Sequence, residues 1–474
     1  MEMESSLQPN IPNGGWGWIV VAAVAFINMT NQSIPSVFGL LFGGQLLEMK
    51  QDTKTASLIT NLHSLTLNLS GLFIGPAIKN YSPRIVATIG CLFTTSGLVF
   101  SAFSTQVWQF IFGYSFFCGV GQGLIAPSTF MAINSYFTTK RGRAVGVSLA
   151  GSGLGQMMIP HLVRICLDKF GFRVAVLALA GFAFHGLIGA AMFRPLVSPQ
   201  KLKFNNRRDV KLLLDNDKSI SEIKILKKND SSEEDLKQDS KTKKLCNKVF
   251  NRLVEAMDLE LLRDPVFWSI IIGMALVYTS TTNFTMLFPY FLQNSIGLTR
   301  SDTALCMSVV AGADICCRLL LPFITDKLQI PYRTIFLFGT IGLLISRAAL
   351  AESTSLTTII IMSAFTGMTK SSTVVNNNLT VSSYCRPEKL AGGLGLSMIT
   401  KGVLVITVGQ LFGWVRDHTG SYVTCLHSQN LVLAVVIAFW TPEILCRSLK
   451  KQRETLESGV ETGEQDKLRQ QNVC

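Results

Sequence analysis

Residues Ala304 to Leu321, ALCMSVVAGADICCRLLL, set an acid and a base inside a run that is otherwise apolar enough for lipid. On a helix, Asp314 and Arg318 share a face four residues apart, with the acid on the N-terminal side, the favourable order for such a pair. At about 1.5 Å per residue the stretch crosses most of a hydrocarbon core of roughly 30 Å. An ionised side chain at mid-bilayer costs on the order of 3 kcal/mol on insertion scales. Both charges must therefore face protein or water, and the rest of the chain reads as their housing.

The composition agrees. Of 474 residues 48% are hydrophobic and only 15% charged, with mean hydropathy +0.36, whereas soluble domains carry about 25% charged residues. The formal charge of +13 sits in short loops and tails and forms no continuous basic face, which argues against nucleic acid as a partner. The eleven cysteines fall mostly within apolar runs (Cys91, Cys118, Cys166, Cys306, Cys316, Cys317) and give neither a disulfide framework nor a metal-spaced pair. No nucleophile–base pair, metal cluster or phosphate-cradling loop suggests an enzyme, and no cofactor is expected. The N-terminus lacks the basic region and apolar core of a signal peptide.

Charges, Gly and Pro divide the chain into twelve runs long enough to span. In the first half these are Trp16 to Phe42, Ala56 to Ile78, Ile85 to Phe103, Val107 to Ser135, Ala144 to Cys166 and Val174 to Phe193. In the second they are Val266 to Leu292, Ala304 to Ile324, Thr334 to Ala351, Leu356 to Ser383, Ala391 to Val415 and Tyr422 to Leu445. The expectation is an all-α membrane protein with an N-terminal segment 1–15, six-helix bundles at 16–193 and 265–446, a linker 194–264 and a tail 447–474. The linker (KILKKNDSSEEDLKQDSKTKKL in its middle) is too polar to bury a core and reads as mostly disordered and solvated, with an amphipathic surface helix over Val249 to Leu262 as the alternative for its end. The tail from Lys450 reads as disordered too.

Lys79 and Arg84; Lys140, Arg141 and Arg143; the linker; Lys327 and Arg333; Arg386 and Lys389; and Arg447, Lys450, Lys451 and Arg453 all fall in even-numbered loops or the tail. The positive-inside rule then places both termini and the linker in the cytoplasm. Six spans plus six around a central cytoplasmic loop is the organisation of the major facilitator fold, whose related halves enclose a site near the midplane.

Two local signatures point to a family. Asn13-Gly14-Gly15-Trp16-Gly17-Trp18 leads into the first span, and Tyr136-Phe137-Thr138-Thr139-Lys140-Arg141-Gly142-Arg143-Ala144-Val145-Gly146 continues as VSLAGSGLG through Gly155. Both resemble signatures of the monocarboxylate transporter family (solute carrier family 16) of the major facilitator superfamily, with Asn13 standing where that family has an acid. Their physical jobs are structural: tryptophans anchor at the interface, Gly146, Gly151 and Gly155 allow close helix approach, and the basic cluster sets topology.

In the proton-coupled members an Asp and an Arg four residues apart in the eighth helix serve proton coupling and carboxylate recognition, and Asp314 and Arg318 match those positions. Arg318 can hold an organic anion through a two-pronged contact; Asp314 can neutralise it when the site is empty and take a proton when substrate arrives. The structural alternative is an ion pair that only joins helices. The resemblance fails at one place: the lysine that follows the first helix's proline in lactate carriers is here Ser36, after Pro35. Asn28, Gln32 and Ser36 at helical spacing, with Asn61, Ser64 and Asn68 of the second span, suggest a pocket that reads hydroxyl or amide groups; interhelical packing bonds are the alternative. Lys370 and Lys401, near the middle of the tenth and eleventh spans, join Arg318 as substrate-binding candidates for an anion, unless they snorkel or cap carbonyls. His63, on the face opposite Asn61 and Asn68, reads as a packed histidine rather than a proton relay.

The functional expectation is transport of a small monocarboxylate or related organic anion by alternating access, with Asp314-linked proton symport or uniport both open. The competing class is a non-transporting membrane nutrient sensor or scaffold that signals through the linker and tail. Expected partners are the organic anion, a proton, membrane lipid and, by family resemblance, a single-span immunoglobulin-like accessory subunit at the plasma membrane.

Overall fold

Hydrocarbon offers no water to backbone N–H and C=O groups, so apolar runs must satisfy them internally as helices or closed barrels. The computed structural model describes residues 13–51, 53–194 and 258–471, and among them the regular structure is helical with no strand. In chain order the helices are α1 (Trp16–Ile27), α2 (Phe38–Glu48), α3 (Thr53–Leu69), α4 (Gly71–Asn80), α5 (Pro83–Ala102), α6 (Val107–Phe110), α7 (Gly119–Tyr136), α8 (Arg141–Phe184) and α9 (Gly186–Ala191), then α10 (Pro265–Asn294), α11 (Arg300–Leu328), α12 (Tyr332–Glu352), α13 (Leu356–Tyr384), α14 (Leu390–Thr419) and α15 (Tyr422–Gln471). Large apolar side chains lie bare on the outer faces, with Phe439 73%, Leu431 67% and Phe338 66% exposed. Such continuous apolar exterior suits lipid contact.

Nine helical runs among the described residues are long and apolar enough to cross a membrane. One of them, Arg141–Ala191, carries both the fifth and sixth expected spans. Its axis breaks at Gly171, whose φ of 76° and ψ of −179° occupy a region open essentially to glycine alone. The second and tenth expected spans are helices as well, α3 with α4 and α13, but their Asn, Ser, Thr and Lys content keeps them out of the nine. The first span is not a straight helix. After α1 come a π turn over Asn28–Gln32 and a 3-10 turn over Ile34–Val37, where Pro35 lacks an N–H for the ladder.

The tail behaves differently from its polar composition: α15 runs through to Gln471. Residues 195–257, most of the expected linker and the first part of the amphipathic stretch at Val249 to Leu262, lie outside the described residues. The end of that stretch is a 3-10 turn, Leu259–Arg263. Asp258 before it accepts from Lys79 at 2.7 Å, and Glu260 accepts from Lys389 at 2.6 Å. The hydrogen bond from Lys389, and then its charge, hold the Glu260 carboxyl below its usual range.

The chain divides into two compact units, one of Met1–Ile272, Arg318–Lys327 and Val381–Ile406, the other of Gly273–Cys317, Leu328–Thr380 and Thr407–Cys474. In the first unit Phe38, Phe42, Phe110 and Tyr114 form an aromatic core, with Phe38 and Tyr114 centroids 4.9 Å apart and Phe42 and Phe110 5.5 Å. Close helix approach needs the glycines of α8: a Cβ at Gly151 would collide with the Ala25 carbonyl of α1, and one at Gly146 with the Arg318 carbonyl of α11. The two signatures meet each other. Asn13 Oδ1 accepts from the backbone N–H of Thr138 at 2.7 Å and of Thr139 at 3.1 Å, while the Trp18 and Phe137 rings stand edge to face at 5.2 Å. An amide oxygen accepts those bonds as a carboxylate would, which accounts for Asn13 at an acidic position. The second unit has its own core of Phe284, Phe288, Phe291, Leu292, Cys306, Leu350, Ile359 and Leu426.

Candidate functional site

The site residues that the sequence singled out fall into two groups, one in each unit. Arg318, in the first unit, lies on α11 in a helix that is apolar on both sides of it, and only 5% of it is exposed. Its Nη1 donates to the Leu149 carbonyl and to Ser152 Oγ, both at 3.0 Å. These acceptors belong to the VSLAGSGLG stretch of α8, whose glycines bring the α11 backbone close enough for the reach. Asn28 Nδ2 donates to the neighbouring Ser148 carbonyl at 2.9 Å. Asn28, Ser148, Leu149, Ser152 and Arg318 thus form one buried polar cluster contributed by three helices. Both of these acceptors are neutral oxygens, and they fix the orientation of Nη1.

Gln32 and Ser36 part company with Asn28. The π turn adds residues to the helical repeat, and Gln32 Nε2 donates to the Gln122 carbonyl of α7 at 3.0 Å, while exposed Ser36 turns its hydroxyl onto the Ser33 carbonyl at 2.6 Å. Helical spacing had put the three on one face; the broken helix sends each to a different neighbour. Gln122 Oε1 in turn lies 3.2 Å from His63 Nε2, and His63 is buried and stacks on Tyr114 at 4.8 Å. That is the packed histidine the sequence suggested. Asn68, 2% exposed, donates to the Ser64 carbonyl at 2.8 Å, and its Cβ sits where a side chain on Gly402 would have to go. Lys401, next to that glycine on α14, is 7% exposed.

In the second unit Asp314, 4% exposed, has Lys370 Nζ 3.7 Å from its Oδ2. The backbone explains the pairing. Gly367 of α13 lies against the Val310 carbonyl and the Asp314 backbone N of α11, so Lys370, one turn on, arrives beside the carboxylate. Beside the i, i+4 spacing to Arg318 that the sequence shows, the structure gives Asp314 an ion pair with Lys370 from another helix. Near it, Thr373 donates to the Lys370 carbonyl at 2.8 Å, and Asn377 donates to Asn378 Oδ1 at 3.1 Å.

Two further charged groups are buried outside the expected site residues. Asp326 caps the first turn of α8, accepting from the Arg143 backbone N–H at 3.2 Å and standing 3.5 Å from its guanidinium, the position where a helix N-terminus favours negative charge. Arg347 is completely buried in α12. The same depth argument that picked out Lys370 and Lys401 finds it in the sequence.

No group of three or more His, Cys, Asp or Glu side chains among the described residues could hold a metal ion. What the sites offer is buried cationic side chains on membrane helices, the buried carboxylates of Asp314 and Asp326, and neutral hydrogen-bonding partners. This is the equipment of a multi-pass carrier for a small polar solute. Residues 20–410 match the Major Facilitator Superfamily model, and the chain belongs to that family. It is similar to Monocarboxylate transporter 12 of Mus musculus, 23% identical over 87% of this chain and 82% of the mouse protein. Monocarboxylate transporter 12 of Xenopus laevis is 25% identical over 68% of this chain, which spans 65% of the frog protein's length. Monocarboxylate transporter 11 of Homo sapiens is 29% identical over 40% of each chain. Among solved structures, that of the proton:xylose symporter XylE bound to 6-bromo-6-deoxy-D-glucose superposes with a TM-score of 0.65 at 12% identity, covering 90% of this chain and 95% of that one. At that identity the likeness concerns the fold.

Proposed function

We propose that this protein transports a small monocarboxylate or related organic anion by alternating access, through a twelve-helix, six-plus-six body (16–193 and 265–446) with both termini in the cytoplasm. The observation that carries the reading is the charge of the buried spans. Arg318, Lys370 and Lys401 stand against Asp314, and Asp314 has Lys370 at 3.7 Å. Similarity to proteins named monocarboxylate transporters supports a carboxylate as the substrate class.

Arg318 is the anion-binding group in this reading. Its Nη1 is already fixed by Leu149 and Ser152, so the fork is held in one orientation before substrate arrives, and little ordering remains to be done on binding. Asp314 and Lys370 form the coupling pair. Asp314 is buried beside Lys370, and negative charge arriving near a buried carboxylate favours its taking a proton. Lys370 thereby does the work assigned in lactate carriers to the lysine that Ser36 replaces. Lys401 and Asn68 line the path from α14 and α3. Asn28 acts through its bond to Ser148, one residue from the Leu149 carbonyl that Arg318 uses. Gln32 and Ser36 border the same broken first span.

The test is uptake into proteoliposomes of a radiolabelled panel of lactate, pyruvate, ketone bodies, aromatic amino acids, carnitine and creatine, with and without an inward proton gradient. Uptake of a carboxylate lost in Arg318→Ala supports the reading. Gradient-stimulated initial uptake assigns symport, and gradient-independent uptake assigns uniport. Binding without flux for every compound points to the sensor or scaffold reading. The single-span accessory partner and plasma-membrane residence, which the family resemblance implies, are tested by co-purification from surface-labelled cells.

A further inference from the structure

Arg347 presents a separate anomaly. It is 0% exposed, inside α12. Nη1 donates to Ser280 Oγ at 2.8 Å and Nη2 to Thr281 Oγ1 at 3.2 Å, and the guanidinium lies 4.4 Å from the centroid of Phe284. All three partners are neutral and come from one face of α10. The Nε–H is buried with no acceptor.

A buried guanidinium normally has a counter-charge, because an uncompensated ion in low dielectric is strongly disfavoured. Here every acid of the second unit whose side chain is described is engaged elsewhere. Asp302 pairs with the Thr299 hydroxyl at the start of α11, Asp314 with Lys370, Glu352 with His427, Asp417 with Arg416 and Glu443 with Arg333. Arg347 makes no ion pair among the described residues. Arginine also stays protonated where lysine or histidine would shed its charge, so deprotonation is not an easy escape.

The polar environment continues past the guanidinium. Ser280 Oγ, besides receiving Nη1, lies 3.4 Å from the Gln429 carbonyl of α15. Gln429 Oε1, both side-chain polar atoms of Asn430, and Thr279 Oγ1 are buried without hydrogen-bond partners. Arg347 with the Ser280 and Thr281 hydroxyls forms a buried polar set without a carboxylate.

We propose that Arg347 holds a small resident inorganic anion, of the halide class, against its Nε edge. The ion supplies both the missing acceptor and the missing negative charge. Because Arg347 is fully enclosed and belongs to a different helix from Arg318, this ion is a structural ligand of the second unit and not the transported solute; the proposal stands whether or not the chain carries a carboxylate.

The test uses the full-length protein in detergent or nanodiscs. Thermostability is measured while chloride or bromide replaces sulfate at constant ionic strength, in wild type and in Arg347→Met, which removes the charge and keeps an unbranched side chain. The wild type should be stabilised saturably by chloride and by bromide, and Arg347→Met should show an apparent halide affinity weakened about tenfold or more. A wild type equally stable in all three salts, or an undiminished halide response in Arg347→Met, overturns the proposal. Should Arg347→Met fail to fold, crystals of the wild type grown in bromide decide it. An anomalous bromine peak within contact distance of Nε supports the site, and water or nothing in that position refutes it.

Discussion

The Asp314–Lys370 pair can be broken from either side, and the two breaks should not cost the same. At 3.7 Å the Coulomb attraction in a medium of effective dielectric about 20 is 332/(20 × 3.7), about 4.5 kcal/mol. Desolvation of both ions offsets part of that, and removal of one partner from a buried pair typically costs about 3–5 kcal/mol. The Asp314 side chain is 6% exposed and that of Lys370 22%, so a stranded lysine reaches water more readily than a stranded aspartate. We expect Asp314→Asn to destabilise by about 2 kcal/mol and Lys370→Met by about 3 kcal/mol. The double variant leaves no buried charge at the pair and should lose only about 2 kcal/mol, a coupling of about 3 kcal/mol. The assay is equilibrium unfolding in mixed micelles of the four proteins. Losses that add to within about 0.5 kcal/mol would mean the two groups do not sense each other and would remove Lys370 from the coupling pair.

Arg318→Lys should fold but lose at least about tenfold in initial uptake of any transported carboxylate, because one ammonium cannot hold Leu149 and Ser152 while presenting a planar fork to the substrate; uptake kinetics check this, with retained thermostability as the folding control. Gly171→Ala should cost about 1–3 kcal/mol through backbone strain alone, since nothing lies within 4 Å of a Cβ there, whereas Gly39→Ala, equally open but helical, should be neutral or slightly stabilising; thermal unfolding compares the two. Burial, with the Asp258 charge adding to it, pushes the Cys385 thiol up to about 12. At neutral pH its thiolate should therefore be about three thousandfold scarcer than for an ordinary cysteine near 8.5. Peptide mass spectrometry after maleimide labelling should find Cys385 unmodified while exposed Cys446 reacts, and lowering the pH should slow the labelling of Cys446 without bringing Cys385 into reaction.

The helical body was legible because lipid leaves apolar runs few conformations, and a span of that length is written directly in the sequence. Where polar residues dilute the run, as in α3 and α13, the spans are read from length and punctuation, because their apolar content alone is too low. The candidate site was legible by type more than by partner. Asp314, Arg318, Lys370 and Lys401 announce themselves by their cost in hydrocarbon, but which acid meets which base depends on where backbones touch. Gly367 against Asp314 decides that, and no i, i+4 rule contains it. Asn28, Gln32 and Ser36 were misaligned by the π turn and Pro35, since helical periodicity assumes an unbroken helix. Arg347 was visible as a charge inside an apolar run; its neutral partners, which make it unusual, belong to α10, far from it in sequence.

The central claim is that a buried guanidinium on α11 recognises a carboxylate during transport. Initial uptake of the labelled carboxylate panel into proteoliposomes, compared for wild type and Arg318→Ala reconstituted at equal density, tests it most directly. The account predicts saturable wild-type uptake of at least one carboxylate, inhibited by unlabelled carboxylates and abolished in Arg318→Ala. Equal uptake by the two proteins would contradict it.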